Sequence, residues 1–305
     1  ENVYDFSLGN PATPAPEAVK ESIKKILDEK DPMYIHGYMD NSGYEEVREK
    51  IAQNLNKRFG THFHFHNIIM TVGAAGGLNI VFKAILDPGD EVMVFAPYFG
   101  EYRSYAANFD AKIVEVNPDT ATFEPDLADF EAKITAKTKA VIINTPNNPT
   151  GVVYKDKTLK GIAEILKQKQ VEYHTDIYLI SDEPYRELVY DGNKENFLTK
   201  YYENTIVGYS FSKSLSLPGE RIVYVVFPDE ASDSDMLISG INVANRTLGF
   251  VNAPSLMQLV AAECIEEKTD VAYYDANRTL LYQSLEQLGF CCFKPEGAFY
   301  LWMKS

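Results

Sequence analysis

Short, mostly apolar runs alternate with helical stretches through the middle of this chain, and that alternation restricts the fold more than any other feature. The runs lie at 68–72, 92–96 (VMVFA), 112–116 (KIVEV), 140–143 (AVII), 177–181 (IYLIS), 205–209 (TIVGY) and 222–227 (IVYVVF). Strands buried on both faces read this way, as near-continuous apolar segments. Helical spacing fills several gaps between them, at 76–86, 125–134 and 158–169. Strands alternating with helices imply an α/β domain with a mostly parallel, seven-stranded-type sheet flanked by helices. We place that large domain at residues 45–240. Residues 17–30 repeat Val19, Ile23, Ile26 and Leu27 at helical spacing after Pro16-Glu17, and residues 44–59 do the same with Val47, Ile51 and Leu55 before Gly60. Residues 255–288 read as long helices, with Leu256, Leu259, Val260 and Ile265, then Leu280, Leu281, Leu285 and Leu288. Residues 1–44 and 241–305 are expected to build a second, smaller α/β domain.

Bulk properties exclude some functions. A formal charge of -15 over 305 residues argues against a nucleic-acid or anionic-membrane partner. Only Cys264, Cys291 and Cys292 are present, so no disulfide framework is readable, which fits a reducing cytoplasm. The pair Cys291-Cys292 is expected to be buried or half-buried. No secretory or membrane-length apolar run occurs. The first residues, Glu1 to Tyr4, already read as folded protein, which suggests a fragment of a longer chain.

In parallel sheets ligands collect at the carboxyl ends of the strands. The residues that follow each run are therefore the informative ones. They are Gly73-Ala74-Ala75-Gly76-Gly77 after the first, Pro97-Tyr98-Phe99 after the second, and Asn144 to Gly151 (NTPNNPTG) after the fourth. Asp182-Glu183-Pro184-Tyr185 follows the fifth, and Ser210-Phe211-Ser212-Lys213-Ser214 the sixth, with Arg221 eight positions beyond the lysine. The glycine-rich turn opens a helix and can present backbone N–H groups to an anion, or can be a simple tight turn. Asn148 lies in a turn-forming Asn-Pro-Thr-Gly and can present its amide to a ligand. Asp182 is either a helix N-cap or the partner of a buried cation. Tyr185, three residues on, would share its side of a helical turn. Lys213 and Arg221 are either surface charges or, given the surrounding serines, an amine and a guanidinium suited to a Schiff base and a phosphate. His62, His64 and His66 alternate with Phe63 and Phe65; this reads as a half-buried strand in preference to a metal site.

In this order and spacing, Asn-Pro-Thr-Gly, Asp-x-x-Tyr and Ser-x-x-Lys with arginine eight after the lysine resemble the pyridoxal-phosphate-dependent class I aminotransferases of the aspartate aminotransferase type, over essentially the whole chain. The resemblance implies transfer of an amino group between an L-amino acid, such as aspartate, and a 2-oxo acid such as 2-oxoglutarate. By that resemblance Lys213 would hold pyridoxal 5'-phosphate as an aldimine and move the substrate Cα proton. Asp182 would lie beneath the pyridine nitrogen and keep it protonated. Tyr185 and Asn148 would bond the phenolic oxygen, and Ser210, Ser212, Arg221 and the backbone of Ala74 and Ala75 the phosphate. Phe99 would stack on the ring, with Tyr98 the lesser candidate. Gly9 and Asn148 would meet the substrate. Tyr38 would reach the phosphate of a partner subunit, so a homodimer is implied.

Two departures stand out. The family's arginine for the substrate carboxylate lies beyond a Gly-Ala-Phe-Tyr segment, here Gly297-Ala298-Phe299-Tyr300, and is expected beyond residue 305, which leaves the small domain incomplete. Val223 stands where many relatives have glycine. A second cation for dicarboxylic substrates has only Arg103 and Arg246 as loose candidates. Three alternatives remain open: a lyase or decarboxylase on the same fold, a Ser-x-x-Lys serine hydrolase, for which no Ser-Asp-Asn or Lys-Thr-Gly follows, and a non-catalytic regulator, for which no basic recognition helix is present.

Overall fold

A computed structural model describes residues 8–303. The reading of Glu1 to Tyr4 as folded protein lies outside the described residues. The strands are β1 (Ile68–Val72), β2 (Glu91–Phe95), β3 (Lys112–Val116), β4 (Thr138–Asn144), β5 (Tyr178–Asp182), β6 (Thr205–Ser210) and β7 (Ile222–Val226). The helices are α1 (Glu17–Glu29), α2 (Pro32–His36), α3 (Glu45–Phe59), α4 (Gly73–Ile85), α5 (Tyr102–Ala107), α6 (Leu127–Lys133), α7 (Asp156–Tyr173), α8 (Phe211–Ser214), α9 (Ser234–Thr247), α10 (Ser255–Glu263) and α11 (Val271–Gln287).

The seven strands form one sheet in the order β1-β7-β6-β5-β4-β2-β3. Six run parallel; β7 runs against both its neighbours, β1 and β6. Alternate residues of each strand enter different cores, as the pleat requires. Ile69, Val92, Val94, Ala140 and Ile142 pack with α4, α5 and α9 on one face. Met93, Phe95, Val141 and Ile143 pack on the other with α6 and α7, and Ile68, Met70 and Val207 with α1, α3 and α10. Both faces are covered, which explains why the runs were apolar without alternation.

Local chemistry accounts for most helix ends. Two glutamates open α3, Lys57 and Arg58 close it, and Gly60 caps it at φ +68. The helices expected over 255–288 are two: α10 ends at Glu263, and Asp270 starts α11 by accepting a hydrogen bond from the Tyr273 N–H. On α11 only Tyr274 and Arg278 are buried, while Leu280 and Leu288 are 65% and 74% exposed.

Three expectations need correction. The histidine segment is not a strand: Phe65–Asn67 is a 3-10 turn with His64 as its N-cap, because the Asn67 side chain accepts the His64 N–H. The alternation was one of exposure, with Phe63 buried and the three histidines outside, and no cluster able to hold a metal occurs among the described residues. Cys291 is exposed rather than buried; Cys292 is half-buried. Helices α5 and α9 were not foreseen. In α9, Gly240, Asn242, Asn245 and Thr247 weaken the local helical signal, and its buried stripe Leu237, Ile241 and Ala244 packs beside α4.

Candidate active site

Parallel strands deliver their carboxyl ends to one edge of the sheet, and the polar residues noted above meet there. Asn144 ends β4 beside Asp182, which ends β5. Ser210 ends β6, and the next turn, α8, carries Ser212 and Lys213. β1 ends at Val72, where α4 begins. Because β7 runs the opposite way, its start lies at this same edge, with Ile222 opposite Val72 and Val223 opposite Ser210. Arg221, immediately before it, is thereby placed among the strand ends. A cavity of about 350 Å³ results. Its wall includes Gly9, Ala74, Ala75, Phe99, Asn148, Asp182, Tyr185, Ser210, Ser212, Lys213 and Arg221. Every candidate of the Schiff-base and phosphate reading is therefore present except Tyr38, which is 95% exposed and outside the cavity. Tyr98 is also absent from the wall: its hydroxyl turns to Glu115. A larger cleft of about 410 Å³ lies at the opposite edge, around Gly60–Phe63, Lys200 and Asp229, and holds none of these groups.

Asp182 is not a helix N-cap. It is the last strand residue, and a turn over 184–187 follows. Its Oδ2 accepts a 2.6 Å hydrogen bond from Tyr102 Oη, and the Asn144 side-chain N–H donates to its backbone carbonyl. Burial pushes the carboxyl up to about 6; the Tyr102 bond opposes this and Glu183 adds to it. Asn144 also accepts the Asn148 N–H at 2.6 Å, so one amide positions both the acid and the Asn-Pro-Thr-Gly turn.

Lys213 is half-buried. Its amine donates to the Gly9 carbonyl at 2.5 Å and lies 5.2 Å above the Phe299 ring. Burial, aided by the positive charge of Arg221, lowers it to about 8. Among the described residues no serine accepts a hydrogen bond from the Lys213 amine. Ser210 Oγ instead bonds Ser212 Oγ at 2.8 Å and accepts the Ser212 N–H at 3.2 Å, which removes the serine–lysine pairing that a hydrolase requires.

The far end of the cavity suits an anion. No side chain caps α4 at Val72; the Gly73 N–H is taken by the Arg221 carbonyl, and the N–H groups of Ala74 and Ala75 that follow have no intrahelical acceptor. Gly73 adopts φ +69, and a Cβ there would overlap the Arg221 guanidinium. Arg221 itself takes φ +53 and accepts the Gly73 N–H through its carbonyl. Val223 is buried on β7 and packs against α4 near Gly77, where even an added Cβ would make ordinary contact with it.

Three residues of this wall went unnoticed in the sequence. Tyr102 is three residues after Phe99 on the unexpected helix α5. Asn144 was visible as the first residue after its strand run but was passed over for Asn148. Tyr300 was visible only inside the Gly-Ala-Phe-Tyr segment; its hydroxyl lies 2.5 Å from that of Tyr185. Neither Arg103 nor Arg246 lines the cavity; Arg103 pairs with Glu115 and Arg246 is exposed.

Comparison with known proteins agrees with this geometry. The family model for aminotransferase class I and II matches residues 1–305. The aspartate aminotransferase of Thermotoga maritima is 31% identical over 100% of this chain and 78% of its own length, and that of Pyrococcus horikoshii 32% over 99% and 75%. The crystal structure of an aminotransferase from Eubacterium rectale superposes with a TM-score of 0.98 at 48% identity, covering all of this chain and 77% of that one. A strand-end lysine and a buried carboxylate on one cavity wall of a mixed seven-stranded sheet thus accompany sequence similarity along the whole of this chain: the chain belongs to the aminotransferases of class I and II.

Proposed function

We propose that this aminotransferase works with pyridoxal 5'-phosphate held in the cavity at the strand ends, moving an amino group from aspartate or a similar L-amino acid to a 2-oxo acid such as 2-oxoglutarate. The observation that carries the reading is the pairing, across one cavity, of an amine lowered to about 8 with a buried carboxyl raised to about 6. The residues fit the group. Arg221, Ser212 and the uncapped start of α4 form a cradle for a phosphate. Asp182 is a buried acid whose proton affinity falls once a cation stands beside it, which is what a protonated ring nitrogen supplies.

When bound, pyridoxal phosphate provides an electron sink that acidifies the Cα–H of an attached amino acid. The chain's own residues do the rest. Lys213 would hold the cofactor through Nζ; once released, its lowered proton affinity leaves a useful uncharged fraction near neutrality to take a proton from Cα. Asp182 holds the counter-charge, and Tyr102 and Asn144 hold Asp182. Phe99 lines the wall and would cover a planar ring, and Tyr185 and Asn148, on the same wall, would meet a phenolic oxygen.

Aspartate is proposed from the relatives, several of which are named aspartate or aspartate/prephenate aminotransferases. A homodimer is proposed because Tyr38, the residue that the family resemblance assigns to a partner's phosphate, is exposed, as are Met33 and, on α9, Val243. Three unpaired cysteines fit a cytoplasmic setting. Borohydride reduction of the protein loaded with pyridoxal phosphate, followed by peptide mapping, tests the core of the proposal. The label is expected on Lys213, and Lys213→Ala is expected to lower turnover by at least about 10⁴-fold. A label elsewhere, or substantial turnover in that variant, would sink it.

A further inference from the structure

Tyr185 has one proton and must direct it somewhere. Its hydroxyl lies 2.5 Å from Tyr300 Oη, and the Asn148 amide also reaches its oxygen. The two rings meet edge to face, with centroids 5.5 Å apart. If Tyr185 donates to Tyr300, nothing remains for an acceptor entering the cavity. If Tyr300 donates, the Tyr185 proton is free to point inward, and the chain of two hydroxyls polarises in that direction.

The backbone that presents Tyr300 is fixed independently of this bond. The Gly297 N–H donates to Gly151 and the Ala298 N–H to Leu188, both at 2.9 Å. Arg278 holds the Pro295 carbonyl at 2.6 Å, and Tyr190 holds the Ala298 carbonyl. On its other side the Tyr300 ring lies against Gly9, where any Cβ would overlap its hydroxyl. Tyr300 is thus wedged between a pinned segment and a residue that has no side chain, with its hydroxyl delivered to Tyr185.

We propose that Tyr300 is a positioning residue for Tyr185: its hydroxyl donates to the Tyr185 oxygen and so turns the single Tyr185 proton into the cavity, toward the phenolic oxygen of the cofactor. This rests on the pyridoxal-phosphate reading above. The other groups facing Tyr185 are Asp182 at the end of β5, Tyr102 on α5 and the Asn148 amide, with Lys213 and Arg221 on the same wall. All of them stay in place when only the Tyr300 oxygen is removed.

A hydrogen bond donated to the phenolic oxygen stabilises its anion and lowers the proton affinity of the conjugated lysine nitrogen. The absorbance of the loaded protein reports that proton, so its pH titration is the test. Tyr300→Phe is expected to raise the midpoint by about half a pH unit or more, the size of one modest hydrogen bond. Tyr185→Phe should raise it further, and Tyr185→Phe with Tyr300→Phe should match Tyr185→Phe alone. An unmoved midpoint in Tyr300→Phe, or additive shifts in the double variant, overturns the inference. Should Tyr300→Phe fail to fold, Tyr300→Leu decides in the same way, because it also removes the hydroxyl and leaves the Gly9 carbonyl that accepts from Lys213 in place. Wild-type protein that takes up no pyridoxal phosphate overturns the cofactor reading and this inference together; protein that loads and titrates without responding to Tyr300 overturns the inference alone.

Discussion

Burial drives the Asp182 carboxyl up to about 6 from 3.8, and the Tyr102 hydroxyl offsets only part of that. With no cofactor bound, the folded state therefore holds this proton more tightly than the unfolded chain does. The stability this confers is complete below about pH 4 and is lost as pH rises through 6, by about 3 kcal/mol. Urea denaturation of the cofactor-free protein across this range should show that decline, and Asp182→Asn should flatten it; an unchanged slope in the variant refutes the assignment. Lys213 acts in the opposite direction. Its lowered value makes the charged form costly in the fold below about pH 8, and that cost is relieved as pH rises toward 10.5. Lys213, Asp182, Asn148 and Tyr185 were legible because each follows a strand run within a few residues. Tyr102 and Tyr300 were not, since their roles depend on hydroxyl contacts with residues 80 and 115 positions away.

Helix α4 joins local conformation to ligand binding. Its start requires Gly73 at φ +69 with the Arg221 guanidinium where a Cβ would be. Gly73→Ala is expected to destabilise the protein by about 1–2 kcal/mol and to weaken pyridoxal phosphate uptake at least about tenfold, read by thermal melts and equilibrium dialysis. Wild-type affinity in that variant would show that the turn does not form the phosphate cradle. Strands were located to within two residues, because apolar runs bounded by polar turns are a local signal. The 255–288 segment read as helices, since Leu256 to Ile265 and Leu280 to Leu288 each keep helical spacing, while the position of the break between them is set by the Asp270 cap.

Across the molecule, a buried polar cluster ties the turn that carries Tyr185 to the rest of the fold. Arg186 is fully buried and pairs with Glu183 at 2.5 Å. It donates to Tyr224 on β7, stacks over Tyr209 on β6 at 4.3 Å, and faces Phe59 of α3. Arg186 is in the same turn as Tyr185, so these contacts brace the site from behind. Arg186→Ala leaves Glu183 buried and unpaired, and is expected to cost about 3–5 kcal/mol by urea denaturation. A loss under about 1 kcal/mol would mean the turn is held by other means.

Alternation of apolar runs with helical spacing, and the polar residues behind each run, are local properties, and they were enough to establish the α/β class and to point to the strand-end edge where the candidate lysine lies. Strand direction is not local. Whether β7 runs with or against its neighbours depends on which strands pair, and those partners lie 150 residues away for β1 and close by for β6. Only the folded sheet, by reversing β7, brings Arg221 to the strand ends beside Gly73, and only long-range packing carries Tyr300 across to Tyr185.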